Sequence, residues 1–234
     1  MKEKISIYSL EGEELADAIE EDLSDAIRHG ILVSNLASSV AKELNESELF
    51  IQEIAMAGML HDIGKLRLSK YLYGRNKDTL QIEEIKYVRM HPTFSYEILK
   101  NHDFSESIQQ TVYHHHENYD GSGYPDNLKG REIPWGARII RTCDVFAALV
   151  SKRPYREAFE VETAMELMID EVKNFDMNIF LAFQRVIFSE EFLDIQGAIN
   201  RINEKENSYR ENWMSLFDGV SKEILTNQSK EIGG

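Results

Sequence analysis

The chain has 234 residues, 42% of them hydrophobic and 29% charged, with a formal net charge of −15; this supports one substantial helical core and leaves no basic footprint for a nucleic-acid duplex or an anionic membrane. An anionic substrate stays open, because bound metal ions can reverse the local field. The one cysteine, Cys143, excludes an internal disulfide, and with no signal-peptide run and no stretch near the roughly 20 apolar residues of a membrane helix, the chain reads as cytoplasmic.

Residues 5–10, ISIYSL, alternate apolar and polar and predict a short strand within an N-terminal extension over 1–12. From Glu13 the period becomes helical: Leu15, Ile19, Leu23 and Ile27 recur every four residues, and Ile31, Leu36, Val40 and Leu44 extend or resume the pattern beyond Gly30. Asn45 followed by Glu48 resembles a helix start, for a helix over about 47–62 that ends in AGMLHDIGK. Residues 66–79 read as a loop or short helix. A helix over about 81–90 stops at His91–Pro92, because the residue before proline is pushed out of the helical region. Another starts at Pro92–Thr93, and a further one runs from about Ser105 to His116.

Residues 118–136 form the one long irregular stretch and hold four of the 13 glycines and two of the four prolines; a loop of that length inside a compact domain is usually functional or disordered. Helices resume over about 136–151, 160–173, 177–188 and 190–226, with Asp176 as the N-cap of the third. The expected fold class is all-α, with a main domain over 13–188 and a C-terminal helical appendage over 189–234 that packs on it.

All seven histidines lie between positions 29 and 116. Clustered His and Asp suit a transition-metal site, and the lack of cysteine ligands argues against a structural zinc. His61 and Asp62 are adjacent, and adjacent helical residues diverge by about 100°, so both reach one metal only if the helix end faces it. Gly64 lets the chain leave the helix, and Lys65 can bind a phosphate beside the metal. A lone histidine before a proline, as His91 is, is more often a cap or surface residue than a ligand. His114, His115 and His116 span about 200° of a helix, so all three cannot face one centre. His102 matches no pattern and is taken as surface. Asp144 sits in an apolar helix and needs a metal, a cation or several hydrogen bonds; Arg141 offers a plain salt bridge. Asp25 and His29 share a helix face, as an amphipathic surface pair also would.

Taken in order, RHGILVSNLA, AGMLHDIGK, MHPTFSYEIL, HHENYDGSGYP, LKGREIPWGARII and CDVFAALVSKRPYR resemble the HD-GYP family, a branch of the HD phosphohydrolase superfamily, from about 28 to 156, and NFDMNIFLAF extends the likeness to about 183. An isolated His-Asp pair is a weak signal, whereas the ordered set is specific. The resemblance implies an HD-domain helical bundle. It implies a basic metal site at His29, His61, Asp62 and Asp144, and a second site, bridged by Asp62, at His91, His115 and His116. His114 is then the extra histidine. The implied cofactors are two divalent transition-metal ions, Fe or Mn before Zn or Ni. Some members hold a third metal and have Glu where this chain has Asp25; the shorter Asp favours two metals and leaves Asp25 as the candidate ligand of a third.

Family members hydrolyse cyclic di-GMP, and some prefer a mixed GMP–AMP cyclic dinucleotide. Lys65, Arg153 and Arg156 match positions that hold substrate phosphates there; guanidinium forks bind phosphate bidentately and an ammonium binds it as a point charge. Ordinary surface salt bridges are the plain alternative for Arg153 and Arg156. The loop with Gly121, Gly123, Tyr124 and Pro125 gives the family its name. Tyr124 can stack on a base or pack against a partner, such as a signalling protein docking at this loop. Two departures stand out: Ala147 replaces the second Asp of the usual DVFDAL, and the usual Asp-Pro is Asp176–Met177.

The expected reaction is attack of a metal-bridging hydroxide on phosphorus, with Asp62 and Lys65 as the catalytic side chains. Two other readings exist. One is a catalytically weak nucleotide sensor or docking module, for which Ala147 and the acidic surface leave room. The other is a one-metal nucleotide phosphohydrolase, against which His91 and the paired histidines argue.

Overall fold

In a computed structural model of the chain, the backbone is described for residues 12–68, 86, 88–151, 157–190, 192, 193 and 197, and side chains from residue 26 onward within that set. The strand expected over 5–10, most of the helix expected over 81–90 and the helix expected over 190–226 lie outside the described residues. Among the described residues there are seven α-helices and no strand. The chain divides into one compact unit over Met1–Phe192 and a second over Leu193–Gly234, and the seven helices belong to the first.

Helix α1 (Gly12–Glu43) runs unbroken through Gly30. Its buried stripe is Leu32, Val33, Leu36, Ala37, Val40 and Ala41, the three-and-four spacing of a helix face turned to a core. Ile27, placed on the same stripe by its spacing, is instead exposed. Asn45 has a φ of 59° and closes the turn after α1, a left-handed position that Asn tolerates. It does not start the next helix: Ser47 caps α2 (Glu48–Leu60), its hydroxyl accepting the Phe50 N–H. After α2 the chain enters a 3-10 turn over Ile63–Leu68.

Helix α3 (His91–Lys100) begins one residue earlier than Pro92 suggests. Proline stands in the first helical turn, where the N–H it lacks would have no intrahelical partner. Thus His91 opens a helix where the sequence placed it at the end of one. Helix α4 covers Glu106–Tyr113, capped by Ser105, and stops three residues short of His116. His114, His115 and His116 lie in a turn. Helix α5 (Trp135–Val150) is the centre of the bundle, with Ile139, Ile140, Cys143, Phe146 and Ala147 all buried, and it packs on α1, α2, α4 and the two helices that follow. These are α6 (Val161–Asp170) and α7 (Met177–Ile187), joined through a 3-10 turn over Val172–Asn174. Asp176 caps α7 by accepting the Asn178 N–H at 3.0 Å and pairs with Arg138 of α5 at 2.7 Å.

The loop between α4 and α5 is tied down by its own backbone. Tyr124 N–H donates to the His116 carbonyl at 3.2 Å, and Gly130 N–H to that of Tyr119 at 2.9 Å. A Cβ on Gly123 would stand 2.2 Å from the Asn118 nitrogen, so only glycine lets the loop fold back on the residues after the histidines. The buried Glu117 carboxylate accepts the Asp126 N–H at 2.7 Å. No helix among the described residues is long and apolar enough to cross a membrane.

Candidate metal centre

Three of the histidines stand at helix ends, and each folds back on the carbonyl three residues before it. Nδ1 of His61 meets the Gly58 carbonyl at 2.8 Å, that of His91 the Val88 carbonyl at 2.7 Å, and that of His115 the Val112 carbonyl at 2.6 Å. A carbonyl can only accept, so Nδ1 carries the hydrogen in all three rings, and in the neutral ring the Nε2 lone pair is left to face inward. These Nε2 atoms converge: His91 lies 3.2 Å from His115 and 3.1 Å from His116, Nε2 to Nε2. Between His91 and His115, whose Nδ1 atoms both carry the hydrogen, lone pairs this close repel one another unless a cation sits between them. Nitrogens ligated at about 2.1 Å to one ion stand about 3.0–3.4 Å apart, so the spacing fits a metal.

Asp62 joins this set and the neighbouring one. Its Oδ1 lies 3.1 Å from His91 Nε2 and 3.9 Å from His115 Nε2, while Oδ2 lies 3.4 Å from His61 Nε2. The second set consists of His29, His61 and Asp144: Asp144 Oδ1 is 3.0 Å from His29 Nε2 and 3.6 Å from His61 Nε2. Within each group, Asp62–His91–His115–His116 and His29–His61–Asp144, one ligand atom per residue lies within 4.8 Å of every other. His61 Nε2 and Asp62 Oδ1 are buried with no hydrogen-bond partner among the described residues, and such a donor set fits a cation.

Electrostatics suits the same purpose. Burial opposes ionisation of Asp62, but Lys65, His61 and His91 outweigh it and hold the carboxyl well below its ordinary range. Burial likewise opposes ionisation of Asp144, and His29 and His61 outweigh it. Burial and neighbouring imidazoles push His115 well down, and burial takes His116 to about 3, so both rings are neutral and able to donate a lone pair. His61 goes the other way: burial lowers it, yet Asp62 and Asp144 raise it to about 10. A cation entering here displaces that proton.

Serine 95, which the sequence reading passed over, latches the two segments together. Its hydroxyl donates to the His61 carbonyl at 2.9 Å and accepts the Gly64 N–H at 2.8 Å. Gly64 is needed for this close approach rather than for leaving a helix, since a Cβ there would stand 2.2 Å from the His91 carbonyl oxygen. Lys65 Nζ reaches Asp62 Oδ2 at 2.5 Å, and about a third of its side chain is exposed.

Other expected residues fall elsewhere. His114 turns away from the cluster, with Nδ1 on the Gln110 carbonyl and Nε2 at 3.2 Å from Asp126. His102 is exposed. Tyr124 stacks on His116, ring centroids 4.7 Å apart, so that face is not free for a base. The Arg89 guanidinium lies 5.3 Å from the Tyr124 ring centre. Arg141 does not give Asp144 its salt bridge: its Nε donates to Asn118 at 2.9 Å, and His29 takes the carboxylate. Arg153, Arg156 and the Asp25 side chain lie outside the described residues.

The family model described as an HD domain matches residues 13–179. The chain is 39% identical over 135 residues to the cyclic di-GMP phosphodiesterase response regulator RpfG of Xanthomonas campestris, covering 57% of this chain and 35% of that protein. It is 31% identical over 158 residues to the 3′3′-cGAMP-specific phosphodiesterase 1 of Vibrio cholerae, covering 68% of this chain and 36% of the relative. The chain thus spans little more than a third of the length of these relatives. Among solved structures it resembles Bd1817, an HD-GYP-type protein of Bdellovibrio bacteriovorus, with a TM-score of 0.58 at 18% identity over 74% of this chain and 58% of the other. At that identity the likeness is one of fold.

Proposed function

The chain belongs to the HD domain family, in its HD-GYP branch, and from that premise we propose that it is a metal-dependent phosphodiesterase acting on a cyclic dinucleotide, cyclic di-GMP before the mixed GMP–AMP compound. The main support is Asp62, whose two oxygens face two separate sets of inward-turned imidazoles. A site for one metal has no use for so many ligands. The two relatives named above are named for action on cyclic di-GMP and on 3′3′-cGAMP, which supports this substrate class.

Imidazole nitrogen and carboxylate oxygen without thiolate suit Fe or Mn, and two such ions supply an activated water and polarised phosphoryl oxygens when bound. The protein's own part is positioning. Asp62 spans the two ligand sets, and Asp144 sets its charge between His29 and His61. Lys65, partly exposed beside Asp62, meets a non-bridging phosphate oxygen in this reading. Tyr124 holds the His116 ring in place through their stack. Arg153 and Arg156, just beyond the end of α5 in sequence, take a second phosphate in this reading.

Incubation of the Mn-loaded chain with cyclic di-GMP and with 3′3′-cGAMP, the products resolved by chromatography, tests this. The expected result is linear or mononucleotide product with two metals per chain by elemental analysis. Binding without product, or one metal per chain, overturns it.

A further inference from the structure

Asp62 and His91 lie far apart in the chain, yet their facing atoms, Oδ1 and Nε2, stand 3.1 Å apart. The carbonyl of Val88 fixes the His91 ring, and that of Gly58 fixes the His61 ring. Neither contact sets the distance between the turn that carries Asp62 and the helix α3 that His91 opens. That distance needs a lateral tie between the two segments.

Ser95 supplies it. It is fully buried in α3, four residues after His91 and so on the same side of the helix. Its hydroxyl donates to the His61 carbonyl at 2.9 Å and accepts the Gly64 N–H at 2.8 Å. These two backbone groups flank Asp62: the carbonyl belongs to the peptide that joins His61 to Asp62, and the N–H lies two residues further on. One oxygen thus holds the turn on both sides of the carboxylate that faces both ligand sets. A helical hydroxyl often bonds back to the carbonyl four residues before it. Ser38 does so to Ser34 at 2.8 Å, and Thr142 to Arg138 at 3.1 Å. Ser95 reaches across to another segment instead. With no side chain at Gly64 the two backbones meet directly, since a Cβ there would stand 2.5 Å from the Ser95 nitrogen.

We propose that Ser95 is a positioning residue of the metal centre: by holding α3 against the turn, its hydroxyl keeps His91 and Asp62 close enough to share one cation, and so sets the affinity of the His91–His115–His116 set. The other set depends on it less. His29 and Asp144 come from α1 and α5, and the His61 ring is anchored within α2. This rests on the two-metal part of the phosphodiesterase reading and adds a side chain that ligates nothing yet decides whether the second ion stays.

Equilibrium dialysis of the full chain against graded Mn(II), with elemental analysis of the metal retained, tests it. At the lowest Mn concentration that gives the wild type two ions, Ser95→Ala should hold one. A concentration about 10–100-fold higher should restore the second, the usual effect of losing an outer support of a ligand. Ser95→Cys, of similar size with a weaker donor, should fall between the two. Ser38→Ala, whose lost hydroxyl bonds within α1, should match the wild type. Circular dichroism of the metal-free chains establishes that folded proteins are compared, and if Ser95→Ala does not fold, the shift in Ser95→Cys decides. Denaturant titration of the same metal-free chains separates positioning from packing, because a hydroxyl that served packing alone would change metal-free stability and leave both affinities as they were. Two ions retained by Ser95→Ala at the wild-type concentration, or both lost together from the folded variant, would overturn the positioning role alone. Fewer than two ions on the wild type at any concentration would overturn it together with the two-metal reading.

Discussion

A carboxylate that faces two sets of imidazoles has no substitute among its neighbours. Asp62→Ala removes the one side chain shared by both ligand groups and leaves Lys65 without its partner. We expect it to lose metal and turnover together, activity falling at least about 100-fold. Elemental analysis alongside the chromatographic assay checks this, and a variant that stayed active would remove the bridging role. Cys143 makes the opposite kind of residue-scale claim. It is fully buried beside Asp144, and burial pushes its thiol up. The thiolate is the reactive form, so a disulfide reagent at about pH 8 should label the native chain no faster than it unfolds. Rapid labelling of the folded protein would contradict the burial.

At the scale of elements, the family resemblance implied which residues could ligate, but not how the helices would aim them. His91 shows why. The sequence placed it before a proline as a helix end; the structure makes it the first residue of α3, with its ring turned back on Val88. The argument that three consecutive histidines cannot share a centre assumed a helix, and α4 stops before them; His114 still turns away, for a reason local to the turn and to Asp126. The Ser95 latch and the carbonyls behind His61, His91 and His115 depend on how backbone segments meet in space, which no sequence pattern encodes. Gly64 gives an element-scale test. The atoms that a Cβ would meet, the His91 carbonyl oxygen and the Ser95 nitrogen, belong to the backbone of α3 and cannot swing aside. Gly64→Ala should therefore cost about 1–3 kcal/mol, as overpacking does, and shift His91 away from Asp62. Denaturant titration reads the first effect and a fall in bound metal reads the second. A fully stable variant with its full metal content would show that α3 and the turn can separate.

For the whole chain, the proposed function sets an acidic balance against an anionic substrate, and two fields compete. The net charge of −15 repels any anion at long range, whereas in the proposed reaction two dications with Lys65 would attract the cyclic dinucleotide once it is near. Salt screens these unequally. The screening length falls from about 30 Å at 0.01 M to about 8 Å at 0.15 M, shorter than the reach of the summed surface charge but comparable with distances inside the cleft. Raising ionic strength over that interval should weaken the repulsion first, so kcat/KM should rise severalfold. Towards 1 M, where the length is about 3 Å, the local attraction is screened as well and kcat/KM should fall again. A steady fall from the lowest salt would mean that the metal centre's field already dominates at long range, and that the acidic surface has no part in how substrate arrives.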